Sequence, residues 1–313
     1  MESTPRGDTL LEASRLARYF GGREAVRDVS LRVVRGEVLG LLGLNGAGKT
    51  TTLRMLCGTL APSAGAIRLN GIDLLEEPLA AKRHLGYLPE IPPLHADTSV
   101  REYLRYAAVL RRVPRAGRRA AVERALDSTG LGDVAGRIIR NLSKGYQQRV
   151  GIAQAIVHEP ALIVLDEPTA GLDPRQVQEI RELIQRLGRD RAVVFSSHIL
   201  GEVQALCHRV VILHQGRQVY QGLPQGDTEY GLTVYRLRFR SPPPLELIGQ
   251  LPGIDVRERL ESGYRVAIRL DSALDALLAH SVKEGWGLQE LTPQRPTLEQ
   301  VFLELTAGRE AAA

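Results

Sequence analysis

The stretch from Glu37 to Thr51, EVLGLLGLNGAGKTT, limits what this chain can fold into more than any other. Val38 to Leu42 read as a short buried strand, Gly43 to Gly48 as a glycine-bearing loop, and Lys49 onward as a helix with Leu53 and Leu56 on one side. Strand, G-x-x-x-x-G-K-T and helix in that order are the context that a phosphate-binding loop requires. The glycines let backbone N–H groups converge on phosphate oxygens, and the helix N-terminus adds its partial positive charge. The cradle comprises Gly43, Leu44, Asn45, Gly46, Ala47, Gly48, Lys49, Thr50 and Thr51. Lys49 would neutralise the β- and γ-phosphates, while the Thr50 hydroxyl would hold Mg²⁺. An α/β fold that binds a nucleoside triphosphate is therefore predicted.

Two more apolar runs end in chemistry. Leu162 to Leu165 close on Asp166 and Glu167, and the run AVVFSSH at 192–198 closes on His198. Ligands of open α/β sheets sit at the carboxyl ends of the strands, so all three side chains are expected beside the phosphates. Asp166 can join the magnesium shell, and Glu167 can polarise a water for in-line attack. His198 can hydrogen-bond the γ-phosphate.

Bulk properties narrow the class. A chain of 313 residues, 43% of them hydrophobic, is long enough for two cored domains. No apolar run approaches the roughly 18 residues that span a bilayer. The opening MESTPRGDTLLEASR lacks the basic start and apolar core of a secretory signal, so the chain is expected to remain in the cytoplasm. Cys57 and Cys207 are isolated, which predicts neither a disulfide nor a cysteine metal site. The formal charge is +5, but 37 of the 41 basic residues are arginines spread along the chain. That pattern reads as composition bias, with the segment 111–124, RRVPRAGRRAAVER, holding the best claim to an anionic surface.

With these residues in place, the chain resembles the nucleotide-binding subunits of ATP-binding cassette transporters over about residues 8 to 220. On its own, Ser143 in LSKGYQQRVGIAQA reads as a helix N-cap, with Ile152, Ile156 and Val157 as a buried stripe. The segment is similar to the family signature LSGGQ, with Lys144 standing for a glycine and Tyr146 for the glutamine. The resemblance implies that Ser143 and Gly145 contact the γ-phosphate held by a second, head-to-tail copy, and that Asp173 of GLDP lies at the same interface. It implies that Phe20 stacks on adenine, with Tyr19 as the alternative, and that Glu90 of GYLPE stands where the family commonly has glutamine. Glu90 still offers an oxygen to Mg²⁺ beside Thr50 and Asp166, yet it adds negative charge and cannot donate. The implied catalytic residues are Lys49, Glu167 and His198.

The implied architecture is a P-loop NTPase cassette over residues 1–225, with a RecA-like core, an antiparallel β subdomain and a helical subdomain at about 92–157. Within the latter, Ser99 and Glu102 read as a capping box, and a second helix ends at Gly130. Residues 226–313 read as βαββαβ, the order of a ferredoxin-like α+β domain, with a hairpin turning at Ser262-Gly263 and a last helix capped by Thr297. Together with the closing PTLEQVFLELT, these features resemble cassettes of gliding-motility and drug-resistance exporters, which work with a separately encoded permease at the cytoplasmic membrane face. A soluble cassette ATPase acting on nucleic acid or ribosomes is the alternative; one phosphate loop, no sustained heptads and no CxxC leave no nucleic-acid partner expected.

Overall fold

A computed structural model of the protein describes residues 8–224, 233–268, 271–294 and 298–307. The chain divides into two compact units, Met1–Gly222 and Leu223–Ala313. The domain boundary expected at residue 225 and the cap expected at Thr297 lie outside the described residues.

The first unit opens with two long strands, β1 (Thr9–Phe20) and β2 (Arg23–Val34), then β3 (Val38–Leu42) and α1 (Lys49–Leu56). β4 (Ala64–Leu69), β5 (Ile72–Asp73), the single turn α2 (Pro78–Ala81) and β6 (Leu85–Leu88) follow. Three helices come next: α3 (Val100–Leu110), α4 (Arg118–Thr129) and α5 (Lys144–Ile156). The unit closes with β7 (Leu162–Leu165), α6 (Pro174–Gly188), β8 (Ala192–Ser197), α7 (Leu200–Leu206), β9 (Arg209–His214) and β10 (Arg217–Gly222).

The strands order as β5-β4-β1-β2-β10-β9-β3-β8-β7-β6 among the described residues. From β9 to β6 every pairing is parallel, whereas β1, β2, β4 and β5 pair antiparallel. The parallel half is covered on both faces, so β3, β7 and β8 are buried along their whole length, as unbroken apolar strands should be. α6 turns Ile180, Leu183, Ile184 and Leu187 inward at helical spacing.

The helical segment follows its end signals. Ser99 and Glu102 form the reciprocal capping box of α3, and Gly130 ends α4 at φ 64°, a conformation that costs a residue without Cβ nothing. Three of the six arginines of segment 111–124 bond within the chain. Arg111 reaches the Leu85 carbonyl at 3.5 Å, Arg118 donates to Val113 O at 2.9 Å, and Arg124 pairs with both oxygens of Glu159 at 2.8 and 3.1 Å. The claim of segment 111–124 to an anionic surface is weakened accordingly. Among the described residues no helix is long and apolar enough to cross a membrane.

The second unit contains β11 (Thr233–Phe239), α8 (Leu245–Gly249), β12 (Ile254–Leu260), β13 (Gly263–Ile268), α9 (Asp271–Lys283), β14 (Leu288–Gln294) and α10 (Leu298–Ala307). Its antiparallel sheet runs β12-β13-β11-β14 over a core that includes Leu237, Phe239, Tyr264, Leu277 and Trp286. The hairpin differs from the expectation: Leu260 pairs with Gly263, so the turn is Glu261-Ser262 and Gly263 already belongs to β13. The glycine is needed for close approach, because a Cβ there would overlap the Leu237 carbonyl of β11. Gly263→Ala is therefore expected to destabilise this unit by about 1–3 kcal/mol, the usual cost of overpacking. Chemical denaturation followed by the fluorescence of Trp286, the chain's single tryptophan, reads that unit alone.

Candidate functional site

Strand register sets the site. Leu42 pairs with Ser197, and Leu165 pairs with Phe195, so β3, β7 and β8 finish along one edge and release the phosphate loop, the Asp166-Glu167 pair and His198 side by side. A cavity of about 810 Å³ opens there. Its walls include Leu44, Asn45, Gly46, Gly48, Lys49, Thr50 and Thr51 from the loop, Glu90 after β6, and Glu167 and His198. Phe20 lines the same cavity with the Arg18 guanidinium 4.8 Å above its ring; Tyr19 is not among the lining residues. Gly43 and Ala47 are buried behind the loop. Gly48, at φ 100°, begins α1 and packs so tightly that a Cβ would come within 2.8 Å of the Ala25 carbonyl.

The polar groups form one connected array. The Lys49 ammonium donates to Gly43 O at 2.8 Å and Leu44 O at 3.3 Å, and it lies 3.3 Å from Glu167 Oε1. Thr50 Oγ1 donates to Asp166 Oδ1 at 3.2 Å. The Ser196 hydroxyl donates to that same oxygen at 2.7 Å while accepting the Glu167 backbone N–H at 2.8 Å. His198 Nδ1 meets Glu167 Oε2 at 2.9 Å. Glu167 holds φ at 45°, uncommon for a residue with a side chain, and the surrounding hydrogen bonds keep it there.

Asp166 is 1% exposed, and its Oδ2 is buried without a hydrogen-bond partner. Burial pushes its carboxyl above the usual range, hydrogen bonds from Ser196 and Thr50 pull it back, and the nearby Glu90 and Glu167 carboxylates raise it further. An orphaned carboxylate oxygen, a threonine hydroxyl and a further carboxylate nearby make a hard, all-oxygen donor set that fits Mg²⁺.

The signature residues lie elsewhere. Ser143, Gly145 and Asp173 do not line the cavity. Ser143 occupies the N-cap position of α5 with the same extended backbone as the capping Ser99 and Asp173, but contrary to expectation its side chain makes no capping bond, which leaves the first N–H groups of α5 without a side-chain acceptor. The apolar stripe behind it, Ile152, Ile156 and Val157, is buried as its spacing requires. Gly145 packs against Gln176, and the Lys144 ammonium lies beside Gly171. The Asp173 carboxylate caps α6, accepting from Gln176 N at 2.9 Å.

Sequence reasoning missed Ser196, whose signal was a serine pair ending an apolar strand. It also missed the cavity-lining Arg23, Glu24, Ala25, Gln215 and Gly216, which carry no motif and are gathered only by tertiary packing.

A family profile described as "ABC transporter" matches residues 26–170. The ABC transporter ATP-binding protein NatA of Bacillus subtilis (strain 168) is 42% identical over 201 residues, 64% of this chain and 82% of that protein. The Nod factor export ATP-binding protein I of Paraburkholderia xenovorans (strain LB400) is 34% identical over 308 residues, spanning 97% of this chain and 98% of that protein. A solved structure of an ATP binding subunit of an ABC transporter superposes with a TM-score of 0.62 at 34% identity, covering 69% of this chain and 90% of that one. Phosphate loop, paired acids, fold and relatives agree, and the chain belongs to the ATP-binding subunits of ABC transporters, a family of ATPases.

Proposed function

We propose that this protein is the ATP-hydrolysing subunit of an exporter and drives a separately encoded membrane permease by closing head-to-tail with a second copy. The observation that carries the reading is the split between two half-sites. The cavity has the phosphate loop, Glu90, Glu167 and His198 on its walls, while Ser143, uncapped and exposed, and Gly145 and Asp173 stand outside it. A partner's signature helix completes the triphosphate site, so ATP joins the two copies and hydrolysis releases them.

Within one site, the loop N–H groups and Lys49 bind the phosphates, and Phe20 supports the adenine. Glu167 orients a water and accepts its proton as the water oxygen attacks the γ-phosphorus; the bond to the bridging oxygen breaks, leaving ADP and phosphate. His198 holds Glu167 and the γ-phosphate in register. Thr50, Asp166 and Glu90 would hold Mg²⁺, which supplies charge neutralisation at the phosphate oxygens.

Export is supported by likeness to the Nod factor export protein over nearly the whole chain. A permease contact is supported by apolar side chains left in water: Ile91 after β6, and Tyr106, Val109 and Leu110 on α3. We assign the cassette to residues 1–225, with residues about 92–157 as its helical subdomain. Residues 226–313 we read as a ferredoxin-like accessory domain, on the βαββαβ order and the sheet order described above. In this reading the protein works on the cytoplasmic face of the membrane, against its permease.

Three outcomes are expected. Lys49→Ala lowers ATP turnover at least about 100-fold, measured as phosphate release, because the main phosphate cation is gone. Glu167→Gln keeps ATP binding but loses about 10²–10⁴ in turnover, and light scattering finds it dimeric with ATP and monomeric without; a monomer at saturating ATP would overturn the shared site. Adding Ser143→Ala to Glu167→Gln weakens that dimer while each chain still binds nucleotide.

A further inference from the structure

Glu202 is absent from the cavity wall, and no step above uses it. It lies on α7, four residues past His198, and is 1% exposed. One carboxylate oxygen accepts the Ser197 hydroxyl at 2.7 Å, and that hydroxyl oxygen accepts the Ile199 backbone N–H at 3.0 Å. The residues on either side of His198 are thus tied through one serine oxygen to one carboxylate. The other carboxylate oxygen makes no hydrogen bond and faces the Arg181 guanidinium of α6 at 3.8 Å. Arg181 Nε is likewise buried without a hydrogen-bond partner.

A buried ion pair is a poor way to gain stability, since apolar residues of similar volume do as well or better. This one sits directly behind the turn that carries the histidine. Successive strand residues point to opposite faces, and the two serines ending β8 divide accordingly. Ser196 holds Asp166 and the Glu167 backbone; Ser197 holds the turn around His198.

We infer that Glu202, balanced by Arg181 and acting through Ser197, is a positioning residue that aims His198 Nδ1 at Glu167 Oε2. The inference rests on the role proposed above for His198. Because Arg181 rides on α6, whose N-cap is Asp173, the same pair ties the histidine turn to the helix that begins at that aspartate.

The test is a double-mutant cycle on ATP turnover. Ser197→Ala removes the link and leaves the Arg181–Glu202 pair whole. It is expected to lower kcat about tenfold, the worth of one well-placed hydrogen bond, with KM for ATP close to wild type; the melting temperature falls by only a few degrees, since one buried Glu202 oxygen and the Ile199 N–H lose their partner. In the His198→Ala background, Ser197→Ala is expected to cost nothing further, because there is no imidazole left to aim. Glu202→Gln keeps an acceptor for Ser197 and should retain more turnover than Glu202→Ala. Since Glu202→Ala leaves the guanidinium without its counter-charge and endangers folding, the Ser197 cycle decides. Wild-type turnover in Ser197→Ala, or an equal loss in both backgrounds, would overturn the inference. Full turnover in His198→Ala alone would instead overturn the role of His198, and the positioning with it.

Discussion

In-register parallel pairing of β3, β8 and β7 is the constraint on which the structure depends. Each strand is buried along its whole length, so its backbone groups have only the neighbouring strands to bond. A slip of one residue would turn every side chain to the opposite face. The register that satisfies the backbone therefore also fixes where the three strands stop, and their stops bring the phosphate loop, two carboxylates and a histidine to one edge.

At that edge, charge is stored without being cancelled. Burial raises the Asp166 carboxyl pKa, and the nearby Glu90 and the adjacent Glu167 raise it further. Lys49, the Ser196 and Thr50 hydroxyls and His198 offset part of this repulsion, and an Asp166 oxygen stays unsatisfied. Such a surplus of acceptors is suited to a divalent cation and a triphosphate arriving together, since each neutralises what the other brings. The left-handed backbone of Glu167 is part of the same compromise, with strain tolerated where geometry matters to the chemistry.

The second unit shows how local patterns mislead by a residue or two. Ser262-Gly263 reads as a turn because glycine and serine favour turns, yet Gly263 lies in the strand, where only a missing Cβ lets β13 approach β11. The same limit applies to Ser143. Its type, its position before a helix and even its extended backbone match those of Ser99, which does cap, yet the Ser143 hydroxyl does not bend back, a difference that no local motif encodes.

Much of the fold was legible in the chain itself. Unbroken apolar runs marked the buried parallel strands, Ser99 with Glu102 and Gly130 marked helix ends, and the glycine-lysine-threonine loop announced phosphate chemistry. These signals are local: they act within one strand or one turn, so residue order alone carries them. Tertiary structure decided the rest. Only packing places Ser196 against the Asp166 carboxylate and the Glu167 backbone N–H that follow another strand, gathers Arg23 and Gln215 around one cavity, sets Arg181 of one helix against Glu202 of the next, and leaves the signature serine apart from its own chain's phosphate loop. Contacts between groups distant in sequence depend on register and crossing geometry, which form when the strands pair and the core closes.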